Sequence, residues 1–553
     1  MALRAEAEKM EVLPDVGRIG VMKKALATHG STSNSFIQKH SPLITGILRG
    51  FDRLRIRGTL RQLYYPKVME AYLRAKKVLL KDFKGFAVAL TDRIKSTALA
   101  MSEKARRPYL YLASSQTRKE TLARDIAQRD GVQEGLIAVL GCVELCKTYF
   151  VRGNKETKKL ELRLDWGKCQ HLYFYYIHPV FGFMHVRLQT WFPFQVQICL
   201  NGREWLSRQM DRHQMEYTRK ENCFTSISHV KGAQRLMDKQ LKTDWTSELT
   251  RVLKQTHGLC QEICRPLGLE YYWTAEQSEY ATDLIFKDTQ TLQRIYLNLV
   301  HHAIIHFGSR DVMRFLQHGL MRNGKIQPRF QGEVISDYQE RPEGIRVKHS
   351  VDGNSIKIYD KQGSVLRIET TINNPRNFRI FRATENKPNA KKQWRVLRRT
   401  LADLFRRAEV SSAANERYLE ALSAVNETLP LFKPAEEVCK PVLRDGERFR
   451  ALNPWSQEDG KLLEAVSRGE FTLTGFRNQD IRRLLFTSKA SEQEQKRRAA
   501  NVTRRLRLLR GHGLIRKITG THRYVLTAKG RSTITALLTA RRANIEQLTK
   551  MAA

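Results

Sequence analysis

Apolar and polar positions alternate along "NSIKIYDKQGSVLRIETTINNP", residues 354–375, and this period of two predicts a β-hairpin. If Ile356 and Ile358 are to share a face with Leu366 and Ile368, residue 358 pairs with 366 and residue 356 with 368. That register leaves a loop from Lys361 to Gly363, where glycine suits a left-handed turn position. The second face then carries Lys357, Tyr359, Arg367 and Glu369, with Lys357 directly across from Arg367. Like charges opposed on a sheet cost stability unless an anion lies between them, so Glu369 or a phosphate is expected there.

The same alternation in "ITGILRGFDRLRIRGTL" puts Leu54 and Ile56 on one face and Arg53, Arg55 and Arg57 on the other. By phase Asp52 points inward, where a carboxylate has to be ion-paired, hydrogen-bonded or bound to metal. "RPYLYLASSQTRKETLARDIAQRDGVQEGLIAVL" reads as a βαβ-like unit, with Thr117 and Glu120 spaced as a capping box. Its loop "ASSQT" lacks the glycines of a phosphate loop and reads as a plain connection. From Tyr149 to Leu200 the pattern is an antiparallel meander. One of its faces collects His185, Arg187, Gln189, Gln195 and Gln197, with Tyr173 and Tyr175 on the preceding strand. Hydrogen-bonding groups among aromatic rings suit unpaired bases, and equally the solvated side of a sandwich.

Residues 203 to about 320 read as mostly helical, including "SEYATDLIFKDTQTLQRIYLNLVHHAIIHFGSRDVMRFLQ". His302 and His306 lie one turn apart, but no Glu stands between them to serve a zinc protease, and core or cap positions are expected. After connecting stretches at "TENKPNAKK" and near Pro430 to Pro454, three helices and two strands complete the chain. In the third helix Ala499, Val502, Leu506 and Leu509 should face a core, leaving Arg497, Arg498, Arg504, Arg505 and Arg507 outside. The expected class is α+β and multidomain, with mixed or antiparallel sheets and a helical middle. The expected divisions are an arm at 1–40, an α+β domain at 41–210, helices at 211–325, a basic hairpin region at 326–400, a helical connector at 401–454 and a last domain at 455–553.

Composition sharpens this picture. Over 553 residues, 97 Lys and Arg stand against 56 Asp and Glu, a formal charge of +41. Apolar residues at 41% are enough for folded cores, so the surplus sits on a globular surface and calls for a polyanion. The partner expected is nucleic acid: duplex DNA, with single-stranded DNA or RNA at the upstream sheets. No stretch has the length and continuity of a membrane helix, and the acidic residues near the start argue against a leader, so a cytoplasmic location and no membrane partner are expected. Among eight cysteines, Cys142 with Cys146 and Cys260 with Cys264 share a spacing, the second pair preceded by His257. Buried thiols are expected there in preference to zinc.

Two resemblances add expectations. "YDK" at Tyr359 to Lys361 with "RIE" at Arg367 to Glu369 resembles the strand pair of rolling-circle replication initiator proteins, which nick DNA with a tyrosine and a divalent metal. That likeness implies Tyr359 and Glu369 as catalytic candidates, Arg367 on the strand, and Mg²⁺ or Mn²⁺ as the cofactor of such a nuclease, with no other cofactor implied; beside it, inward-pointing Asp52 is the further carboxylate such an enzyme would use and Lys357 is a phosphate contact of the hairpin face. The family's His-hydrophobic-His motif is absent. Residues 455–553, with "HGLIRKI" to "HRYVLTAKG", resemble the winged helix-turn-helix of MarR-type regulators. The resemblance implies DNA reading by the third helix, with His522 and Arg523 at the wing tip; separately, Arg187 on the aromatic sheet face is expected to contact nucleic acid. The expected function is DNA binding, in replication or transposition of a mobile element; the alternatives are a metal-dependent nicking nuclease or strand transferase, and an RNA-binding component of a ribonucleoprotein.

Overall fold

The computed structural model describes residues 34–317, 332–341, 344–383, 392–423, 432–444, 446–468, 475–488 and 490–543, together with Phe330 and Phe471. Most of the expected arm, and residues 384–391 of the first expected connection, lie outside the described residues. The end of the arm is built into the fold. Ser35–Lys39 is a helix whose cap, Asn34, accepts from the amides of Phe36 and Ile37. Phe36 is fully buried, and that apolar anchor docks the short helix.

Strands β1 (Ile44–Thr59), β2 (Tyr109–Tyr111), β3 (Gly135–Gly153), β4 (Leu160–His178), β5 (Gly182–Gln189) and β6 (Val196–Asn201) form one half of a large sheet. A separate hairpin comes next, β7 (Tyr217–Lys220) and β8 (Cys223–Ile227). The other half is β9 (Tyr272–Phe286), β10 (Val334–Arg341), β11 (Gly344–Val351), β12 (Asn354–Lys361) and β13 (Val365–Ile372). The eleven strands run in the order β10-β11-β12-β13-β9-β1-β6-β5-β4-β3-β2. The meander and the parallel pairing of β2 with β3 across the helix Lys119–Arg129 are those the alternation predicts. The Thr117 capping box does not form, because Glu120 turns to Arg53 and Arg124 instead.

Residues 211–325 are not a helical unit. β9 lies at the centre of the sheet between β13 and β1, and its last seven residues are buried on both faces, so they lack the alternation that marks a strand. β9 also fuses the divisions expected at 210 and 325, since strands from either side share one sheet. The expected connector supplies Leu404–Leu422, a helix laid across β9 and β13 with Arg407 and Asn415 fully buried. Asn415 bonds Thr370, the Tyr280 carbonyl and Thr282, which answers its burial.

One face of the sheet is mostly apolar. Leu54, Ile56, Leu172, Phe174, Val186 and Ile198 pack beneath the helices Pro66–Ala75 and Phe83–Lys104. Ile356, Ile358, Leu366 and Ile368 pack beneath Thr289–Ile305 and Leu404–Leu422. The chemistry is therefore displaced to the opposite face. At the end of β6, Asn201 caps the helix Gly202–Arg212, and a Cβ at Gly202 would stand 1.8 Å from the Phe51 carbonyl oxygen. Gly202→Ala should lower unfolding free energy by about 1–3 kcal/mol in chemical denaturation, because backbone, not a flexible side chain, blocks the methyl.

Residues 457–542 have a core of their own around Leu462, Val502, Leu506 and Leu537. Helices Gln457–Val466, Asn478–Leu485 and Glu492–Gly511 precede strands Ile515–Lys517 and Tyr524–Leu526, and Phe476 bridges to Tyr524. A helix, Ala528–Arg542, closes the unit.

Candidate nucleic-acid interface and carboxylate cluster

The hairpin register differs from expectation by two residues. Ile358 faces Ile368, Tyr359 faces Arg367, and Lys357 faces Glu369. Both registers match the apolar faces, but the observed one replaces a clash of two cations with a Lys357–Glu369 ion pair of 2.7 Å. The anion expected beside Lys357 is thus Glu369 itself. Arg367, expected on a nucleic-acid-facing surface, is fully buried. Its Nε and Nη2 donate to the Asp283 carboxylate at 2.6 and 2.9 Å, and its Nη1 lies 3.4 Å from Asp52. Arg203, also fully buried, donates to Asp283 at 2.9 Å as well.

Asp52 joins this cluster through a bulge. β1 pairs Phe51 with Tyr280 and Arg53 with Glu279, so Asp52 is an extra residue that the bulge turns into the polar face. The Asn222 side-chain amide donates to its carboxylate at 3.0 Å. Asp52, Glu279 and Glu369 come from three neighbouring strands and bring carboxylate oxygens within 4.8 Å of one another. Two of the three are the catalytic candidates legible in the sequence; Glu279 is not. Beside them Thr371, paired opposite Glu279, is buried with its hydroxyl unpartnered among the described residues.

Crowding of like charge shows in the protonation of the cluster. Burial, then the Glu369 charge, pushes the Glu279 carboxyl from its ordinary 4.5 up to about 7. Burial also raises Asp52, against the pull of Arg367. At Glu369 and Asp283 burial is outweighed, by Lys357 with Arg367 and by Arg203 with Arg367, and both carboxyls lie below their ordinary values. Since Glu279 keeps its proton in the folded chain after the unfolded chain has lost it, folding stability should fall as pH rises from 4.5 to about 7. Glu279→Gln should flatten that part of a stability-versus-pH curve. Tyr359 is 7% exposed, and burial with the neighbouring carboxylates pushes its phenol up to about 12, the opposite of what a nucleophile needs.

Next to the cluster the polar face opens into a cavity of about 990 Å³. Arg53, Arg55 and Arg57 of β1 line it with Arg187 and Gln197, and Arg118, Lys119 and Arg124 form a wall at the start of the helix Lys119–Arg129. Arg341 of the edge strand β10 lines the same cavity, so the sheet curls until its far edge overlooks β1. In all, eight cationic residues line it against three carboxylates, Glu120, Glu144 and Glu276. Some cations are already engaged: Arg187 with Glu144 at 2.5 Å, Arg53 with Glu120 at 3.3 Å, and Arg57 with Glu276. Arg55, Arg118 and Arg341 have no carboxylate partner among the described residues. Tyr175 is buried against Phe183 and His185 and offers no stacking face, whereas half-buried Tyr173 donates its hydroxyl to Glu144 at 2.7 Å.

On the helix Glu492–Gly511 the expected core positions Val502, Leu506 and Leu509 are buried, and Ala499 is half-buried. Arg504 is exposed and has no ion pair among the described residues. Arg498 lies 3.1 Å from Glu494 and Arg505 3.0 Å from Glu458, while Arg507 meets Glu447 and Arg497 reaches Glu494 at 4.0 Å. Such surface pairs contribute about 0–1 kcal/mol and yield readily to a phosphate. At the hairpin tip His522 is exposed, but Arg523 turns inward, donates to the Gly475 carbonyl at 2.7 Å and covers the Phe381 ring. Its place as a tip contact is corrected by that packing.

No helix among the described residues is long and apolar enough to cross a membrane. Comparison with known protein families, curated proteins and solved structures finds no match for this chain.

Proposed function

We propose that this chain binds nucleic acid, with a phosphodiester backbone lying along the curled polar face of the eleven-stranded sheet. The observation that carries the reading is the cavity in which cations from β1, β5, the helix Lys119–Arg129 and β10 converge. Its cations and half-buried Tyr173 on one concave sheet face suit an unpaired strand. The C-terminal unit then acts as a winged helix that holds adjoining duplex through Arg504 and its neighbours on the third helix. Deleting residues 455–553 should weaken duplex binding and leave single-strand binding largely in place, as read by fluorescence anisotropy at several salt concentrations. Loss of neither, or of both equally, would remove the division of labour.

A second reading, metal-dependent phosphodiester cleavage, is favoured by the meeting of Asp52, Glu279 and Glu369 beside that cavity. Three carboxylates are a donor set for Mg²⁺ or Mn²⁺, which would polarise a phosphoryl oxygen when bound. Lys357 is the cation that holds Glu369 now, at 2.7 Å, so a metal ion has to displace its ammonium group. Supercoiled plasmid incubated with Mn²⁺ should be nicked by the wild type and not by Glu369→Gln. Plasmid left intact by the wild type under both metals sinks the catalytic reading but not the binding one.

A further inference from the structure

The long strands β3 and β4 bring together side chains that are far apart in the chain. Cys146 Sγ lies 3.2 Å from Cys169 Sγ, and His171 sits on the same face two residues along β4. Cys146, Cys169 and His171 are all buried, with one donor atom from each within 4.8 Å of the others. The sequence spacing pairs Cys146 with Cys142; the ladder instead sets Cys142 directly opposite His171. His257, Cys260 and Cys264 form no such group among the described residues.

We propose that Cys146, Cys169 and His171 bind a zinc ion. Two thiolates and an imidazole are the soft and borderline donors zinc selects over carboxylate-binding ions, with water completing the four-coordinate shell. His171 Nδ1 faces the Cys169 carbonyl at 3.3 Å, which leaves Nε2 as the metal-binding nitrogen. Binding Zn²⁺ forms two Zn–S bonds and one Zn–N bond and releases two protons, one from each thiol.

The placement gives the ion a task. Glu144 lies between Cys142 and Cys146 on β3, accepts from the Cys142 thiol at 3.2 Å and holds Arg187 at 2.5 Å. A metal tying β3 to β4 at this point fixes the strand pair that carries both Glu144 and Tyr173 of the cavity. This inference stands apart from the nucleic-acid reading, since it needs only the donor atoms.

The test is elemental analysis of the full chain purified without chelator and dialysed after exposure to zinc. One zinc per chain is expected, falling to none in Cys169→Ser and Cys146→Ser and staying at one in Cys223→Ser and Cys439→Ser. If the first two variants fail to fold, the wild type reconstituted with Co²⁺ decides the matter through the thiolate-to-cobalt charge-transfer band. A chain that takes up no zinc and gives no such band, or that carries a Cys146–Cys169 disulfide as purified, overturns the proposal.

Discussion

Replacing Arg367 by methionine should reduce the unfolding free energy by about 3–5 kcal/mol, the cost of removing one partner from a buried ion pair. Arg367 is fully buried and joins β13 to Asp283 of β9, Asp52 of β1 and the Asn222 carbonyl of the hairpin that covers them. Without it Asp283 loses its two-pronged cation and keeps Arg203, and Asp52 loses its nearest cation and keeps the Asn222 amide. Arg367→Lys should recover only part of the loss, since a point charge cannot form the two-pronged contact with Asp283. Arg367→Met combined with Asp283→Asn should be less damaging than the two losses added, because each substitution removes the same contact. Urea denaturation of the wild type and these variants checks this; a methionine variant as stable as the wild type would mean that the cluster does not hold the sheet together.

The second large effect concerns binding. Arg53, Arg55 and Arg57 project from one face of β1 into the cavity. Changing all three to alanine should lower the slope of log affinity against log salt by about 2, because each lost phosphate contact on a single strand removes about 0.7. Arg53 and Arg57 already have Glu120 and Glu276 beside them, so Arg55→Ala alone should carry the largest single share. Affinity titrations with a labelled oligonucleotide across several salt concentrations supply the slope. A triple variant with the wild-type slope would move the phosphate path away from β1.

How much of the site is legible in the chain depends on whether its residues follow a local period. The row Arg53, Arg55, Arg57 and the row His185, Arg187 stand out by alternation, and both lie on the polar face. Asp52 and Glu369 also stand out, but what joins them is a bulge and a central strand, neither of which leaves a periodic mark. Glu279 and Asp283 escape a sequence reading because β9 is buried on both faces where Asp283 sits and so resembles a helix in its pattern. One signal is there: an aspartate inside the apolar run "YATDLIF" has to find a buried cation, here Arg203 and Arg367.

The sequence by itself determined the strands with one polar and one apolar face, the order of helices and hairpin after residue 455, and the cationic surplus, since each rests on residues near one another or on a simple sum. Tertiary structure decided the register of the hairpin, the placing of β9 between β13 and β1, and hence the meeting of Asp52, Glu279 and Glu369. The physical reason is that a period of two fixes which face a side chain takes, while strand order and register depend on matching buried charges and apolar volume across segments hundreds of residues apart.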